Sequence, residues 1–253
     1  MLKSLRGLHI QLLIWAIIPL IVIVVGVSAL GIVSHQTAMR DLVAQRDGQL
    51  ASVAAELLNE RLLLHIRLLE TLLGQEDTPS ALPNFLAEFD GGLLLVGSEG
   101  DLLAATPAAG VWSSRERLID GLLQEVATGD GVVISLPFED VMLDKRALAF
   151  AVRAADGRVL MGVAACDHLQ LPQLIGRLGT GARGVTSLVD RRGVVFYHPD
   201  TAREGLAVDD REVIDAVNRG EAGSTFHREE NGEEMVVGYA PIPIADWGLL
   251  IHE

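Results

Sequence analysis

Residues 185–198, VTSLVDRRGVVFYH, and residues 92–105, GLLLVGSEGDLLAA, carry the pattern on which the fold prediction depends. Each stretch contains an apolar strand, a short polar turn with a glycine, and a second strand, which is typical of a β-hairpin. Gly100 and Gly193 occupy the same place in the two turns. The sequence therefore predicts two copies of one hairpin.

Each hairpin is followed by a helical stretch and then by three more strands. The predicted strands lie at 131–138, 145–154 and 158–165 in the first copy, and at 223–229, 233–240 and 247–252 in the second. The order β-β-α-β-β-β thus occurs twice, with a period of about 90 residues. We expect an α+β fold with two PAS-like modules, each built on a five-stranded antiparallel sheet that can hold a ligand on its open face.

An apolar run of 26 residues, 8–33, precedes the two modules. Roughly 20 helical residues cross the hydrocarbon core of a bilayer, so the run predicts a transmembrane helix at 8–34. A cleaved signal peptide is the alternative interpretation, although the apolar region of a signal peptide is normally only about 7–15 residues long.

Basic residues before the apolar run set the predicted topology. Lys3 and Arg6 favour a cytoplasmic N-terminus at 1–7, with residues 35–253 on the extracytoplasmic side of the cell (inner) membrane. The first 34 residues hold two basic and no acidic residues, so the rest holds 18 basic and 34 acidic ones, a net charge of −16. Nucleic acid is therefore not an expected partner, because its binding depends on a basic surface.

A long helix is predicted over residues 35–74, continuous with the membrane span. Within it, residues 38–73 have no proline and one glycine, Gly48, and their apolar residues recur at helical spacing. At about 1.5 Å per residue, some 35 residues extend roughly 50 Å beyond the membrane. Its apolar stripe is interpreted mainly as core, with contacts in a parallel homodimer as a further use. The glycine and prolines of 74–83 end the helix.

Several short features together resemble the double Cache (dCache) sensor domains of bacterial histidine kinases, chemoreceptors and cyclases. They are the membrane span, the long helix, the hairpin LVDRRGVV at 188–195 with His198-Pro199-Asp200, and Tyr239-Ala240-Pro241 with Trp247-Gly248-Leu249. The resemblance covers nearly the whole chain.

The resemblance implies an arrangement of domains and a function. Residues 84–167 would form the membrane-distal module, 168–183 a connecting helix and loop, and 184–253 the membrane-proximal module. The distal module would bind a small molecule and pass a conformational change to the transmembrane helix. No kinase or chemoreceptor output domain follows in this sequence, so we expect the sensing portion of such a receptor. The alternative is a ligand-free module that docks an envelope protein.

Candidate ligand contacts follow from the same resemblance. In amino-acid-sensing relatives, an arginine and aromatic residues hold the ligand carboxylate, and an aspartate near the last strand holds the amine. The candidate residues are Trp112, Arg115, Arg117, Phe138, Phe150 and Asp167. The aromatic cage is incomplete, since both tyrosines, Tyr197 and Tyr239, lie in the second module. The alternative interpretation of 113–116 is a helix N-cap with a solvated first turn, and Trp112 can equally be a core residue.

The remaining motifs do not indicate catalysis or a metal site. GTGARG at 179–184 has the spacing of a dinucleotide-binding loop, but a predicted helix precedes it and a strand follows it, the reverse of what that loop requires. The seven histidines show no ligand spacing, and the single cysteine, Cys166, cannot form an intramolecular disulfide. No nucleophile elbow or metalloprotease motif occurs. We therefore expect no enzymatic activity, no cofactor and no metal.

Overall fold

The computed structural model describes residues 3–75, 77–171, 173, 175, 184–228 and 234–252. The chain divides into two compact units, Met1–Arg46 and Asp47–Glu253. The described part of the first unit belongs entirely to helix α1 (Lys3–Leu73), which continues into the second unit.

Residues 8–34, the predicted membrane span, are helical along their whole length. Within the part of the chain that the structure describes, no helix is both long enough and apolar enough to cross a membrane. Many side chains of the predicted span, including those of residues 8–14, lie outside the described residues.

Helix α1 ends where the sequence predicted, at a glycine. The amide of Gly74 donates to the Glu70 carbonyl at 3.0 Å. The hydroxyl of Thr78 donates to the Leu72 carbonyl at 3.2 Å, which satisfies one of the helix's terminal acceptors. The short helix α2 (Thr78–Ala81) and a 3-10 helix at 82–85 follow and lead into the first module.

The first module, predicted to be the membrane-distal one and called the distal module from here on, contains six strands and one main helix. Its elements are β1 (Gly92–Val96), β2 (Leu102–Thr106), a 3-10 helix (Ala109–Arg115), α3 (Glu116–Thr128), β3 (Val132–Ile134), β4 (Phe138–Asp140), β5 (Lys145–Arg153) and β6 (Val159–Ala165). The antiparallel sheet has the order β2-β1-β6-β5-β3, and β4 also pairs with β5. The predicted single strand at 131–138 is wrong. It divides at Pro137, which has no amide to donate to the ladder, so this sheet has six strands rather than five.

The second module, predicted to be the membrane-proximal one and called the proximal module from here on, has the predicted five-stranded antiparallel sheet. Its elements are β7 (Val185–Val189), β8 (Val195–Tyr197), a 3-10 helix (Thr201–Arg203), α4 (Arg211–Asn218), β9 (Gly223–Arg228), β10 (Glu234–Ile242), a 3-10 helix (Pro243–Ala245) and β11 (Trp247–His252). The strand order is β8-β7-β11-β10-β9. The predicted connecting helix and loop at 168–183 lie largely outside the described residues.

The part of α1 within the second unit packs against one face of both sheets. A continuous buried cluster joins α1 residues such as Leu58 and Leu62 to Phe150 of the distal sheet and Leu249 of the proximal sheet. The other faces pack on α3 and α4. Because side chains alternate along a strand, each sheet has one face toward α1 and one toward its own helix.

Glycines allow α1 to approach the proximal sheet closely. A Cβ atom at Gly238 in β10 would collide with the backbone of Asp47, and one at Gly48 would lie 3.0 Å from the carbonyl carbon of Gly223. The backbones of α1 and β10 are therefore in direct contact, with no side chain between them at Gly238.

Candidate functional site

The distal module buries a charged pair between its sheet and its helices. The 3-10 helix places Trp112 and Arg115 three residues apart, on the same side of the helix. Arg115 Nε lies 2.7 Å from Asp140 Oδ2, and both side chains are almost completely buried. Arg115 Nη1 donates to the carbonyl of Gly91 at 2.7 Å, and the guanidinium carbon lies 4.8 Å from the centre of the Trp112 ring.

Two donors of this cluster are not used by the protein itself. Arg115 Nη2 and Trp112 Nε1 are buried and have no hydrogen-bond partner among the described residues. A guanidinium N–H and an indole N–H are both hydrogen-bond donors and cannot accept. These two buried groups can therefore be satisfied only by a further acceptor.

Asp140 keeps its negative charge despite its burial. Burial alone raises the pKa of Asp140, but hydrogen bonds from Arg115 and from the amides of Leu143 and Met142, together with the Arg115 charge, lower it below its usual value. Asp140 Oδ1 accepts from Met142 at 2.9 Å and from Leu143 at 3.0 Å. The carboxylate is therefore fixed by the turn that connects β4 and β5.

A second cavity, of about 280 Å³, lies between the two modules. Its lining residues are Pro137, Lys145, Arg146, Cys166, Asp167, Leu171, Ile175, Leu188, Phe196, Tyr197 and Trp247. Arg146 of β5 donates to Glu204 Oε1 at 3.0 Å and to the carbonyl of Phe196 at 2.9 Å. Burial raises the pKa of the Cys166 thiol to about 11, so it stays protonated at neutral pH. This region joins the modules through Arg146.

A third and larger cavity, of about 930 Å³, lies in the proximal module on the sheet face away from α1. Strands β7, β9, β10 and β11 form its floor, and the segment 198–213 forms its roof. Its polar lining residues are Ser187, His198, Asp200, Arg203, Asp209, Asp210, His227 and His252. Among the described residues, no group of histidine, cysteine and carboxylate side chains is arranged to hold a metal ion.

The structure brings only some of the predicted ligand contacts together. Trp112 and Arg115 adjoin, and Phe138 packs partly buried against the same apolar cluster as Trp112. Phe150 lies on the opposite face of the sheet, where it stacks on His65 at 5.3 Å between ring centres.

The other two predicted contacts lie away from the Trp112 cluster. Asp167 lines the cavity between the modules, where it forms an exposed ion pair with Lys145 at 3.5 Å. Arg117 is exposed near the start of α3. Asp140 was missed because it is 25 residues from Arg115 in sequence, and no local motif indicates that β4 places it beside the guanidinium.

The sequence itself has no close counterpart in the comparisons. No protein-family model matches the chain, and no curated protein matches it.

Solved structures, in contrast, share its architecture over most of its length. The ligand-binding domain of the Pseudomonas fluorescens chemoreceptor CtaA with L-isoleucine has a TM-score of 0.63 and 18% identity, covering 86% of this chain and 94% of that one. The ligand-binding domain of the Pseudomonas aeruginosa PAO1 amino-acid chemoreceptor PctC with GABA has a TM-score of 0.60 and 18% identity, covering 81% and 96%. The fold is that of a double Cache sensor domain.

A domain from another kind of receptor shares the architecture as well. The extracellular domain of the putative histidine kinase mmHK1S-Z3 has a TM-score of 0.58 and 12% identity, covering 82% of this chain and 93% of that one. The similarity thus extends to two kinds of receptor and concerns the fold of the sensing domain.

Proposed function

We propose that this chain is the sensing portion of an extracytoplasmic receptor and that its distal module binds a small molecule with a carboxylate group. The observation that carries the proposal is the buried Arg115 guanidinium, which adjoins Trp112 and has a spare donor. A carboxylate bound there would receive two hydrogen bonds in a site shielded from water, where charged hydrogen bonds are strongest.

We favour an amino acid or a related amino carboxylate as the ligand. The similar CtaA and PctC domains were solved with L-isoleucine and GABA. In this chain, Arg115 would hold the ligand carboxylate, and Asp140 would hold the ammonium group in place of the predicted Asp167. The Asp140 carboxylate lies 2.7 Å from Arg115, so both charges are in reach of one small zwitterion.

The signal would pass through α1, which we propose is anchored in the membrane by residues 8–34. The side chains of Ile21, Val24 and Leu30 are more than half exposed in the structure, as expected for residues that face lipid. Both modules pack on α1, so a change in packing in either module can move it. In this proposal the modules lie outside the membrane and the N-terminus lies in the cytoplasm, because Lys3 and Arg6 precede the apolar run.

We further propose that two copies pair along α1 in a parallel homodimer. Val53, Leu57 and Leu64 are 46–55% exposed and lie at spacings of four and seven residues, which places them on one helix face. This face is separate from the buried stripe that contains Leu58 and Leu62. A second copy of α1 would cover these apolar side chains.

Thermal unfolding of the full chain in lipid nanodiscs, in the presence of each natural amino acid and GABA, tests the distal site. A ligand at 100 times its dissociation constant should add about 2.7 kcal/mol of stability. The double variant Arg115→Met/Asp140→Asn removes both charges but keeps an acceptor for the turn, and we expect it to fold and to lose the stabilisation. Arg117→Met, a matched loss of charge at an exposed site, should keep it. Stabilisation that persists in the double variant would contradict the site.

A second candidate function is docking of an envelope protein. Val141 and Met142, at the tip of the turn between β4 and β5, are 83% and 52% exposed. Apolar side chains on a protruding turn favour contact with a partner protein. If no compound of the panel stabilises the folded chain, crosslinking in membranes should capture a partner, and Val141→Ser/Met142→Ser should abolish that capture.

A further inference from the structure

The proximal cavity has an apolar floor with polar groups concentrated at one end. Val237 of β10 pairs with His252 of β11, and His252 pairs with Val185 of β7, so these three side chains lie side by side on the sheet. Ser187 Oγ lies 3.4 Å from His252 Nε2. Leu206, Val208, Val213 and Met235 extend the apolar lining.

Two of the three cavity carboxylates already have partners within the module. Asp200 accepts from the amide of Ala202 at 3.1 Å. Asp210 caps helix α4 by accepting from Val213 at 3.2 Å, and its other oxygen lies 3.6 Å from His227 Nδ1. Asp209 is exposed on the roof.

Arg203, in contrast to Asp200 and Asp210, is a basic residue of the cavity lining. The residue lines the cavity, is exposed to solvent, and forms no ion pair or side-chain hydrogen bond within the ranges that the structure describes. His198, on the same roof segment, accepts through Nδ1 from the amide of Asp200 at 2.9 Å. The free positive charge in this cavity therefore belongs to Arg203.

Burial, together with charge interactions with His198, Arg203 and His227, lowers the pKa of His252 to about 4. His252 is thus neutral at pH 7. A negative group placed beside it would favour its protonation. The polar and titratable groups that share the cavity with it are Ser187 on the floor and His198, Asp200, Arg203, Asp209, Asp210 and His227.

We propose that the proximal cavity is a second ligand site and that it binds a small monocarboxylate with an apolar chain. The carboxylate lies against Arg203 and His252, and the alkyl chain covers Val185, Val237 and the apolar roof. The site is independent of the distal cluster, because it lies on another sheet and uses other residues.

The location gives this site a direct route to α1. Val237 lines the cavity, and the next residue, Gly238, touches the α1 backbone on the other face of the same strand. One strand thickness therefore separates the ligand from the helix. On the roof, Glu204 is bonded to Arg146 of the distal module, so the roof is also joined to that module.

Calorimetric titration of the full chain in nanodiscs with butanoate, butylamine and 1-butanol tests the proposal. We expect butanoate to bind and the amine and alcohol to bind at least about tenfold more weakly, because only the acid has a charge opposite to Arg203. Arg203→Gln should weaken butanoate binding at least about tenfold. Arg211→Gln, the same change at an exposed α4 residue outside the cavity, should not.

The pH dependence tests the role of His252. Because the bound anion favours protonation of His252, butanoate should bind more tightly at pH 5.5 than at pH 7.5, and His252→Asn should reduce that difference. Equal binding to the Arg203→Gln variant, or preference for butylamine, would overturn the proposal. The Arg115→Met/Asp140→Asn variant should bind butanoate normally, so failure of the distal site and failure of this one can be told apart.

Discussion

Arg115 and Asp140 are a buried ion pair whose two halves depend on each other. Removing water from two charges costs several kcal/mol, which the close pairing offsets only while both partners are present. The intact pair therefore adds little to the net free energy of unfolding, whereas loss of one partner leaves the other buried, charged and unpaired.

Arg115→Ala should destabilise the fold by about 3–5 kcal/mol, because it leaves Asp140 charged and buried without a partner. Arg115→Met/Asp140→Asn should cost far less, since it removes both charges. Urea unfolding of the full chain, followed by circular dichroism, measures the difference. If both variants lose the same stability, the pair is not acting as a unit.

Two buried histidines make the fold sensitive to acid. Burial lowers the pKa of His65 as well as that of His252, and for His65 this effect outweighs the hydrogen bond that its Nδ1 donates to the carbonyl of Arg61 at 2.9 Å, which raises the pKa. Unfolding restores an ordinary pKa near 6.5, so the unfolded chain binds protons that the folded chain does not. The associated stability is complete above about pH 6.5 and falls as the pH drops toward 4.

The pKa of His252, about 4, sets the expected size of this loss of stability at low pH. Between pH 7 and pH 5 the wild-type chain should lose about 2 kcal/mol of unfolding free energy through this residue. His252→Asn should remove that loss, whereas His168→Asn, at an exposed position, should leave it. Urea midpoints across the pH series provide the measurement, and parallel pH curves for wild type and His252→Asn would contradict it.

Two glycines within secondary-structure elements should respond in opposite ways to substitution by alanine. Gly238 faces the α1 backbone, whereas Gly121 of α3 has open space where a Cβ would stand. Gly238→Ala should therefore destabilise the protein by about 1–3 kcal/mol, because it forces α1 and β10 apart. Gly121→Ala should stabilise it by up to about 1 kcal/mol through helix propensity. Thermal unfolding of both variants gives opposite shifts if the packing is as described.

The elements were more predictable than the site. Repeated hairpins and helical spacing gave the two modules and the end of α1, because those signals are local. The division of 131–138 into two strands was missed, since apolar spacing continues across Pro137. The pairing of Arg115 with Asp140, and the placement of Arg203 and His252 around one cavity, depend on the arrangement of distant parts of the chain, which no local pattern contains.

Arg146 joins the two modules and so affects the molecule as a whole. It spans from β5 to Glu204 and to the carbonyl of Phe196. Arg146→Met should raise hydrogen exchange in 195–206 while leaving the distal strands protected, because the contact between modules is lost and their cores are not. Lys145→Met, which removes an exposed and weaker pair, is the control. Unchanged exchange in 195–206 would show that Arg146 does not hold the modules together.

The exposed stripe on α1 leads to a prediction about assembly. Leu57→Glu/Leu64→Glu should convert the proposed dimer to monomers in nanodiscs or detergent, since charges would replace the apolar contact. Leu103→Glu, an equally exposed leucine on β2, should leave the mass unchanged. Light scattering coupled to size-exclusion chromatography distinguishes the two results, and a dimer that survives the double substitution would place the interface elsewhere.

Cys166 is the only cysteine of the 253 residues, and it lines the cavity between the two modules. Its thiol is protonated and half buried, so a maleimide can reach it readily only when the modules separate. Cys166 is thus a native chemical probe of the separation of the two modules. The rate at which a maleimide alkylates Cys166, measured by mass spectrometry without an engineered label, would report how often the two modules separate.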